Sequence, residues 1–205
     1  MALRYNWLRF LFPSLTWQGK KKNTLYLTFD DGPHPEVTPR VLEILATYNI
    51  KATFFCVGKN VEEFPNVFNQ ITAQGHDIGN HTYFHDKGWC TRSDEYLKSI
   101  QLANKVLDTP LFRPPYGQMK FSLVPALRKQ GMRIVMWSWL SRDYNSSVSN
   151  KQIIQSAQQI KGGDILVFHD SDKTKHRIDQ LLREIIPMLL SKQFTFSTFE
   201  TYESK

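Results

Sequence analysis

Leu25-Tyr26-Leu27-Thr28-Phe29-Asp30-Asp31-Gly32-Pro33 is the stretch from which the architecture can be read. Its first five residues are strand formers. The last four are turn chemistry, two Asp followed by Gly and Pro. Just beyond, Thr38 offers a helix N-cap with Pro39 at the first helical position. Val41, Leu42, Leu45 and Tyr48 then form one apolar stripe. The unit is therefore a buried strand, a polar turn and an amphipathic helix.

Working outward, the same unit recurs. Strands are expected at residues 52–57, 77–79, 111–113, 133–138, 165–168 and 194–198, making seven with the first. Helices are expected after Gly58 with a restart at Pro65 and a stop at Gly75, over 93–107, over 121–130, from an Asn150 cap to 160, and over about 178–190 with a kink at Pro187. Strict alternation means parallel strands joined by right-handed crossovers. An open doubly wound sheet and a closed barrel both satisfy it.

Composition bounds the rest. At 205 residues, 41% hydrophobic and 22% charged, the chain fits one globular domain and is too apolar for disorder. Its two cysteines, Cys56 and Cys90, exclude a disulfide scaffold. No apolar run approaches the ~20 residues of a membrane span. The net charge of +7 would suit a polyanion, but the basic residues are scattered and the one tight run, Lys20 to Lys22, reads as a solvated linker. Nucleic acid is not an expected partner, and a monomer is expected. Residues 1–23 read as an apolar and basic arm on a domain spanning 24–205. Asn6 and Arg9 interrupt its apolar run, so no cleavable signal peptide is expected and the location reads as cytoplasmic or membrane-surface.

The reactive residues cluster after strands. Asp30 and Asp31 follow the first, His81 and His85 the third, Arg113 ends the fourth, Asp143 follows the fifth and His169 the sixth. Active sites of α/β folds gather at the carboxyl ends of strands. On a helical turn, His81 and His85 would share one face and suit one metal ion. By itself that spacing is as well explained by two unrelated histidines, and Asp-Asp-Gly-Pro by a plain turn. Together they suggest a two-His, one-carboxylate site with open positions, able to generate a hydroxide-like water on zinc. The same ligand set also suits the Fe(II) of an oxygenase.

Three segments carry a family resemblance: Thr28-Phe29-Asp30-Asp31-Gly32-Pro33, His81-Thr82-Tyr83-Phe84-His85 and Arg113-Pro114-Pro115-Tyr116-Gly117. They closely resemble, in order, the signature motifs of polysaccharide deacetylases, the NodB-homology family or carbohydrate esterase family 4. The resemblance runs from about Thr24 to the C-terminus. It implies a single-domain distorted (β/α)7 barrel, TIM-like, which decides the choice left open above. It also implies a metal-dependent hydrolase that removes acetyl groups from N-acetylated sugars.

Carried onto this sequence, the family pattern makes Asp31, His81 and His85 the metal ligands, with zinc expected and cobalt or nickel as substitutes. Asp30 becomes the general base, held by Arg113, and His169 of Val167-Phe168-His169 the general acid, tuned by Asp143. The Tyr116 N–H would face the oxyanion, and Val167 would lie near the acetyl methyl. The fourth motif departs from the family: Leu140-Ser141-Arg142-Asp143-Tyr144 keeps one Asp, while Leu140 and Tyr144 stand where the family has Asp and Trp. That puts the substrate pocket in question, where Tyr144 and Trp137 are expected to contribute.

Of the remaining candidates, His76 reads as structural, His34 as a cleft or loop residue, His176 as solvated and Trp89 as a sugar-stacking or rim residue. One of Trp137 and Trp139 is expected to wall the cleft. Two rival readings are a non-catalytic carbohydrate-binding protein and a deacylase of an O-acetyl or other acyl group.

Overall fold

The computed structural model describes residues 10 and 12–199, so the expectations for residues 1–9 and 11, Asn6 and Arg9 among them, and for residues 200–205, lie outside the described residues. From β1 (Thr24–Asp30) the chain runs through α1 (Val37–Thr47), β2 (Thr53–Cys56), α2 (Gly58–Glu63), α3 (Pro65–Ala73) and β3 (Asp77–Asn80). It continues through α4 (Ser93–Leu107), β4 (Leu111–Phe112), α5 (Val124–Lys129), β5 (Arg133–Ile134) and β6 (Trp139–Leu140). α6 (Asn150–Ala157), β7 (Ile165–His169), α7 (Ile178–Ser191) and β8 (Thr195–Phe196) complete it.

The strands are all parallel and lie in the order β5-β4-β3-β2-β1-β7-β6, with β8 beside the start of β1. The fold is a distorted (β/α)7 barrel. Burial on both faces explains why β1 and β7 read as continuous apolar runs. The two-residue period of β1 divides its side chains. Leu25, Leu27 and Phe29 join the large core beneath the helices, where Phe29 stacks on Phe54 at 5.0 Å. Tyr26, Thr28 and Asp30 point the other way, and Tyr26 packs with Phe55, Val135 and Ile165. α7 covers the sheet with Ile178, Leu181, Leu182, Ile185, Ile186 and Leu189, a stripe at helical spacing that continues unbroken past Pro187.

The barrel is not closed by strand pairing, because β5 and β6 end the path on opposite sides. Residues 15–18 occupy that seam. Thr16 bridges Val135, donating its N–H to the Ile134 carbonyl (2.9 Å) and accepting from Met136 N–H (2.7 Å). Gln18 bridges Asp164, while Leu15 and Trp17 are buried on either side of Thr16.

Three local readings are corrected. The strand expected over 133–138 is a strand only at Arg133–Ile134, with a separate one at Trp139–Leu140 and no helix between them; the Val135 and Met136 carbonyls that follow the first accept from Arg113 (3.2 and 3.0 Å). Thr38 does not cap α1. The helix starts at Val37, and the Thr38 hydroxyl is drawn to the buried Asp170 carboxylate at 2.5 Å. The cap of α6 is Ser149, which shares a capping box with Gln152, while Asn150 bonds Arg177 and Gln180.

Candidate active site

The inward parity of β1 sends the Asp30 carboxylate towards the barrel axis, where Arg113 fills the interior with no exposed surface. Its Nη1 donates to Asp30 Oδ1 (2.6 Å) and Thr28 Oγ1 (2.7 Å), and its Cζ lies 4.0 Å from the Phe55 ring centroid. A guanidinium can be buried here because its N–H groups meet oxygen acceptors.

The next residue faces elsewhere. Asp31 has φ 81°, a left-handed conformation that turns its side chain away from that of Asp30. Three contacts hold the turn: Asn60 Nδ2 donates to the Asp31 carbonyl (2.8 Å), Val57 N–H to the Gly32 carbonyl (2.9 Å), and Gly32 N–H to Asp170 Oδ1 (3.1 Å). Adjacent carboxylates thus acquire different partners.

His81 and His85 also converge there, though not on a helical turn as their spacing suggested. Thr82 and His85 have φ 61° and 58°, which no α-helix accommodates. The loop is fixed by Gly58 and Lys59 N–H groups bonding the Thr82 and Tyr83 carbonyls, and by Thr82 N–H bonding Asn80 Oδ1. Asp31 Oδ1 lies 3.0 Å from His85 Nε2 and 3.7 Å from His81 Nε2. The ligating atoms of the three residues lie within 4.8 Å of one another, forming a candidate metal site.

The donor chemistry suits a cation. His81 Nδ1 donates to the Arg113 carbonyl (2.8 Å), which leaves Nε2 with its lone pair towards Asp31. Burial holds His81 down at about 4, more than offsetting the nearby Asp30 charge, so the ring is neutral at neutral pH. Burial would raise the Asp31 carboxyl, but the His85 hydrogen bond and the surrounding imidazoles hold it well below the usual carboxylate range.

His169 ends β7 in register with Asp30 on β1, so both residues reach the same rim. Asp143 accepts from both its Nδ1 (2.7 Å) and its backbone N–H (2.8 Å). Burial alone would lower the imidazole; the buried Asp143 charge overcomes it and pushes His169 up to about 9. The Asp143 loop is itself gathered by Arg177, which donates to the carbonyls of Asp143, Asn145 and Val148.

These groups open into one cavity of about 160 Å³. Asp30, Asp31, His81, His85 and His169 line it, together with Tyr116, Trp137, Leu140, Tyr144, Val167 and Lys173. Arg113 and Asp143 lie behind Asp30 and His169. Tyr116 is strained to φ 59°, and its backbone N–H has no protein acceptor among the described residues. Its ring sits 4.7 Å from that of His85. Tyr144 meets the His169 ring edge-on at 4.8 Å. Leu140, in register with Val167, presents an apolar wall where the family pattern has a carboxylate.

The other candidates lie elsewhere. His34 Nδ1 accepts from Glu36 and Val37 N–H groups at the start of α1 (both 3.2 Å). His76 accepts from Ala52 N–H (3.1 Å), and burial lowers it to about 4. His176 is exposed. Trp139 packs on Phe168 in the core and leaves the cleft to Trp137, whereas Trp89 is exposed and donates to the Met119 carbonyl. Asp170, Arg177 and Lys173 escaped the reading of the sequence. For Asp170 a signal existed, a second ionisable residue directly after His169 at a buried strand end. Arg177 and Lys173 carry no local mark.

Comparison with known proteins bears on what this cavity does. The sequence profile described as polysaccharide deacetylase matches residues 18–135. A peptidoglycan-N-acetylglucosamine deacetylase of Bacillus cereus is 33% identical over 193 residues, covering 90% of this chain and 90% of that protein. A chitooligosaccharide deacetylase of Azorhizobium caulinodans is 33% identical over 193 residues, covering 85% of this chain and 92% of that protein. Among solved structures, the crystal structure of a peptidoglycan N-acetylglucosamine deacetylase superposes with TM-score 0.88 at 31% identity, covering 98% of this chain and 96% of that one. Among the described residues, no helix is long and apolar enough to cross a membrane.

Proposed function

The chain belongs to the polysaccharide deacetylase family and is a deacetylase-like hydrolase; from that premise we propose that it releases acetate from an N-acetylated amino sugar of a glycan. The relatives named above act, by their names, on N-acetylglucosamine in peptidoglycan or on chitooligosaccharides, and N-acetylglucosamine units are the substrate we assign here. The observation carrying the reading is that a base, a charged acid and a candidate metal triad line a single cavity.

Asp31, His81 and His85 would hold a divalent cation, zinc in our reading with cobalt or nickel able to replace it, and a cation there supplies Lewis acidity and a water of lowered pKa. Asp30 accepts the proton from the attacking water, while Arg113 fixes the carboxylate's position. As the new C–O bond forms, the carbonyl oxygen becomes an oxyanion, and the unoccupied Tyr116 N–H donates to it. His169, protonated through its pairing with Asp143, gives its proton to the nitrogen as the C–N bond breaks. The products are acetate and the free amine. Val167, Leu140 and Trp137 give the acetyl group an apolar wall, and Tyr144 lies beside the acid.

Acetate release from N-acetylglucosamine oligomers, measured with and without a chelator, tests this. Release that stops on chelation and returns with zinc is expected; no release by the zinc-loaded protein would overturn the reading. Asp30→Asn should abolish release while zinc binding persists, and full activity in that variant would remove Asp30 from the base role.

A further inference from the structure

Beside the catalytic cavity runs a groove of about 340 Å³ that shares Asp31, His85 and Lys173 with it. Its other walls include Lys59 and Asn60 of α2, the Phe84 ring and Asp172. Three features make it more than a continuation of the pocket. Phe84 is 61% exposed, held edge-on against Tyr83 with centroids 4.6 Å apart, so it offers an apolar face to whatever enters. Lys59 and Lys173 reach the groove from opposite elements, and neither has a carboxylate partner among the described residues. The acidic groups close by are already engaged. Asp172 pairs with Lys175 at 3.2 Å, Glu62 accepts from the Tyr83 hydroxyl at 2.7 Å, and Asp31 belongs to the candidate metal triad.

An aromatic platform flanked by two uncompensated ammonium groups recognises a ring that carries an anion. Resting on the deacetylase reading for the neighbouring site, we propose that this groove is a subsite for a carboxylate-bearing sugar adjacent to the N-acetylated one. Phe84 packs on its ring, and Lys59 and Lys173 bind its carboxylate. The site thereby prefers an acidic N-acetylated glycan to a neutral one of equal length. Lysine suits this role as a flexible point charge that need not match a fixed carboxylate geometry.

Calorimetry on the zinc-loaded full chain carrying Asp30→Asn, in which binding is read without turnover, decides the matter. The probes are an N-acetylglucosamine tetramer and a tetramer of the same length whose alternate sugars carry a carboxylate as a 3-O-lactyl ether. The acidic tetramer is expected to bind about tenfold more tightly at low salt, with the difference shrinking as salt rises. It should vanish in Lys59→Ser/Lys173→Ser and persist in Lys59→Arg/Lys173→Arg, whose melting curves report that both variants are folded. Equal affinities with both lysines in place, or a preference that survives the serine pair, would overturn the subsite. Acetate release from the neutral tetramer by the zinc-loaded protein is scored separately: its absence would sink the deacetylase reading and leave the binding result to stand by itself.

Discussion

The proposed metal-and-base side of the cavity and its proposed sugar-facing rim are built to different standards. Asp30 is tied to Arg113, and Arg113 to Thr28, Val135 and Met136, all inside the barrel. Asp31 and the two histidines are fixed by backbone bonds from α2 and from the strand ends. The rim side chains stand further into solvent. Tyr116 and Tyr144 are 51% and 40% exposed, and Lys173 and Phe84 also face solvent. The contrast teaches that the chemistry is set from within the fold, where any change disturbs several partners. On the proposed reading, substrate choice falls to side chains that can be exchanged one at a time, Leu140 and Tyr144 among them.

The sharpest way to break the contrast is Arg113→Met. It would leave Asp30 buried without its partner, and the loss of one member of a buried ion pair costs about 3–5 kcal/mol. A large drop in melting temperature together with loss of acetate release is expected. Unchanged melting would mean the interior is not scaffolded as described. Arg113→Lys should rescue it poorly, because an ammonium cannot reach Asp30, Thr28 and two carbonyls together.

Next in size is Asp143→Asn, read as a pH profile. In the native protein His169 keeps its proton up to about 9, so activity should fall on the alkaline side near that value. The folded chain holds this proton between the ordinary histidine value of about 6.5 and 9, where the unfolded chain has lost it. The pair's stabilisation is therefore complete below 6.5 and disappears as pH rises through 9. Without Asp143, burial is opposed only by the charges of Asp31 and Asp30, and the alkaline limb should move to lower pH. An unmoved limb would assign it to another group.

A smaller effect is expected at Asp170. Its carboxylate, pushed up to about 8 by burial, holds the Gly32 N–H and the Thr38 hydroxyl, and so fixes the turn from behind. Asp170→Ala should weaken zinc binding by about 10–100-fold, the range for residues that orient metal ligands, with equilibrium dialysis as the readout. Wild-type affinity would show that the turn holds itself. Least of all, Tyr144→Ala removes the edge-on contact to His169, about 0.5–1.5 kcal/mol. A severalfold rise in KM with near-normal kcat and melting is expected; a collapse of kcat would place Tyr144 in the catalytic half.

The asymmetry also governs what could be read before folding. The strand–helix rhythm and the reactive residues Asp30, Asp31, His81, His85, Arg113 and His169 were legible because each reactive residue sits where a short apolar run ends. How they converge was not. The histidines meet through positive φ at Thr82 and His85, a conformation that spacing alone does not announce. The early end of the strand expected over 133–138 goes with Arg113 capturing carbonyls 22 and 23 residues away. Asp170 and Arg177 act across 138 and 34 residues. No window of local sequence contains both ends of those bonds.

The seam residues carry one last consequence. Thr16 clasps the backbone at Ile134 and Met136, and the carbonyls of Val135 and Met136 are the ones that brace Arg113. Trimming the protein to begin after residue 18 would therefore cut a tether that leads, in two steps, to the carboxylate of Asp30. On the proposed reading, residues 15–18 latch the catalytic interior from outside β1, and cutting or displacing them is expected to lower turnover at a distance.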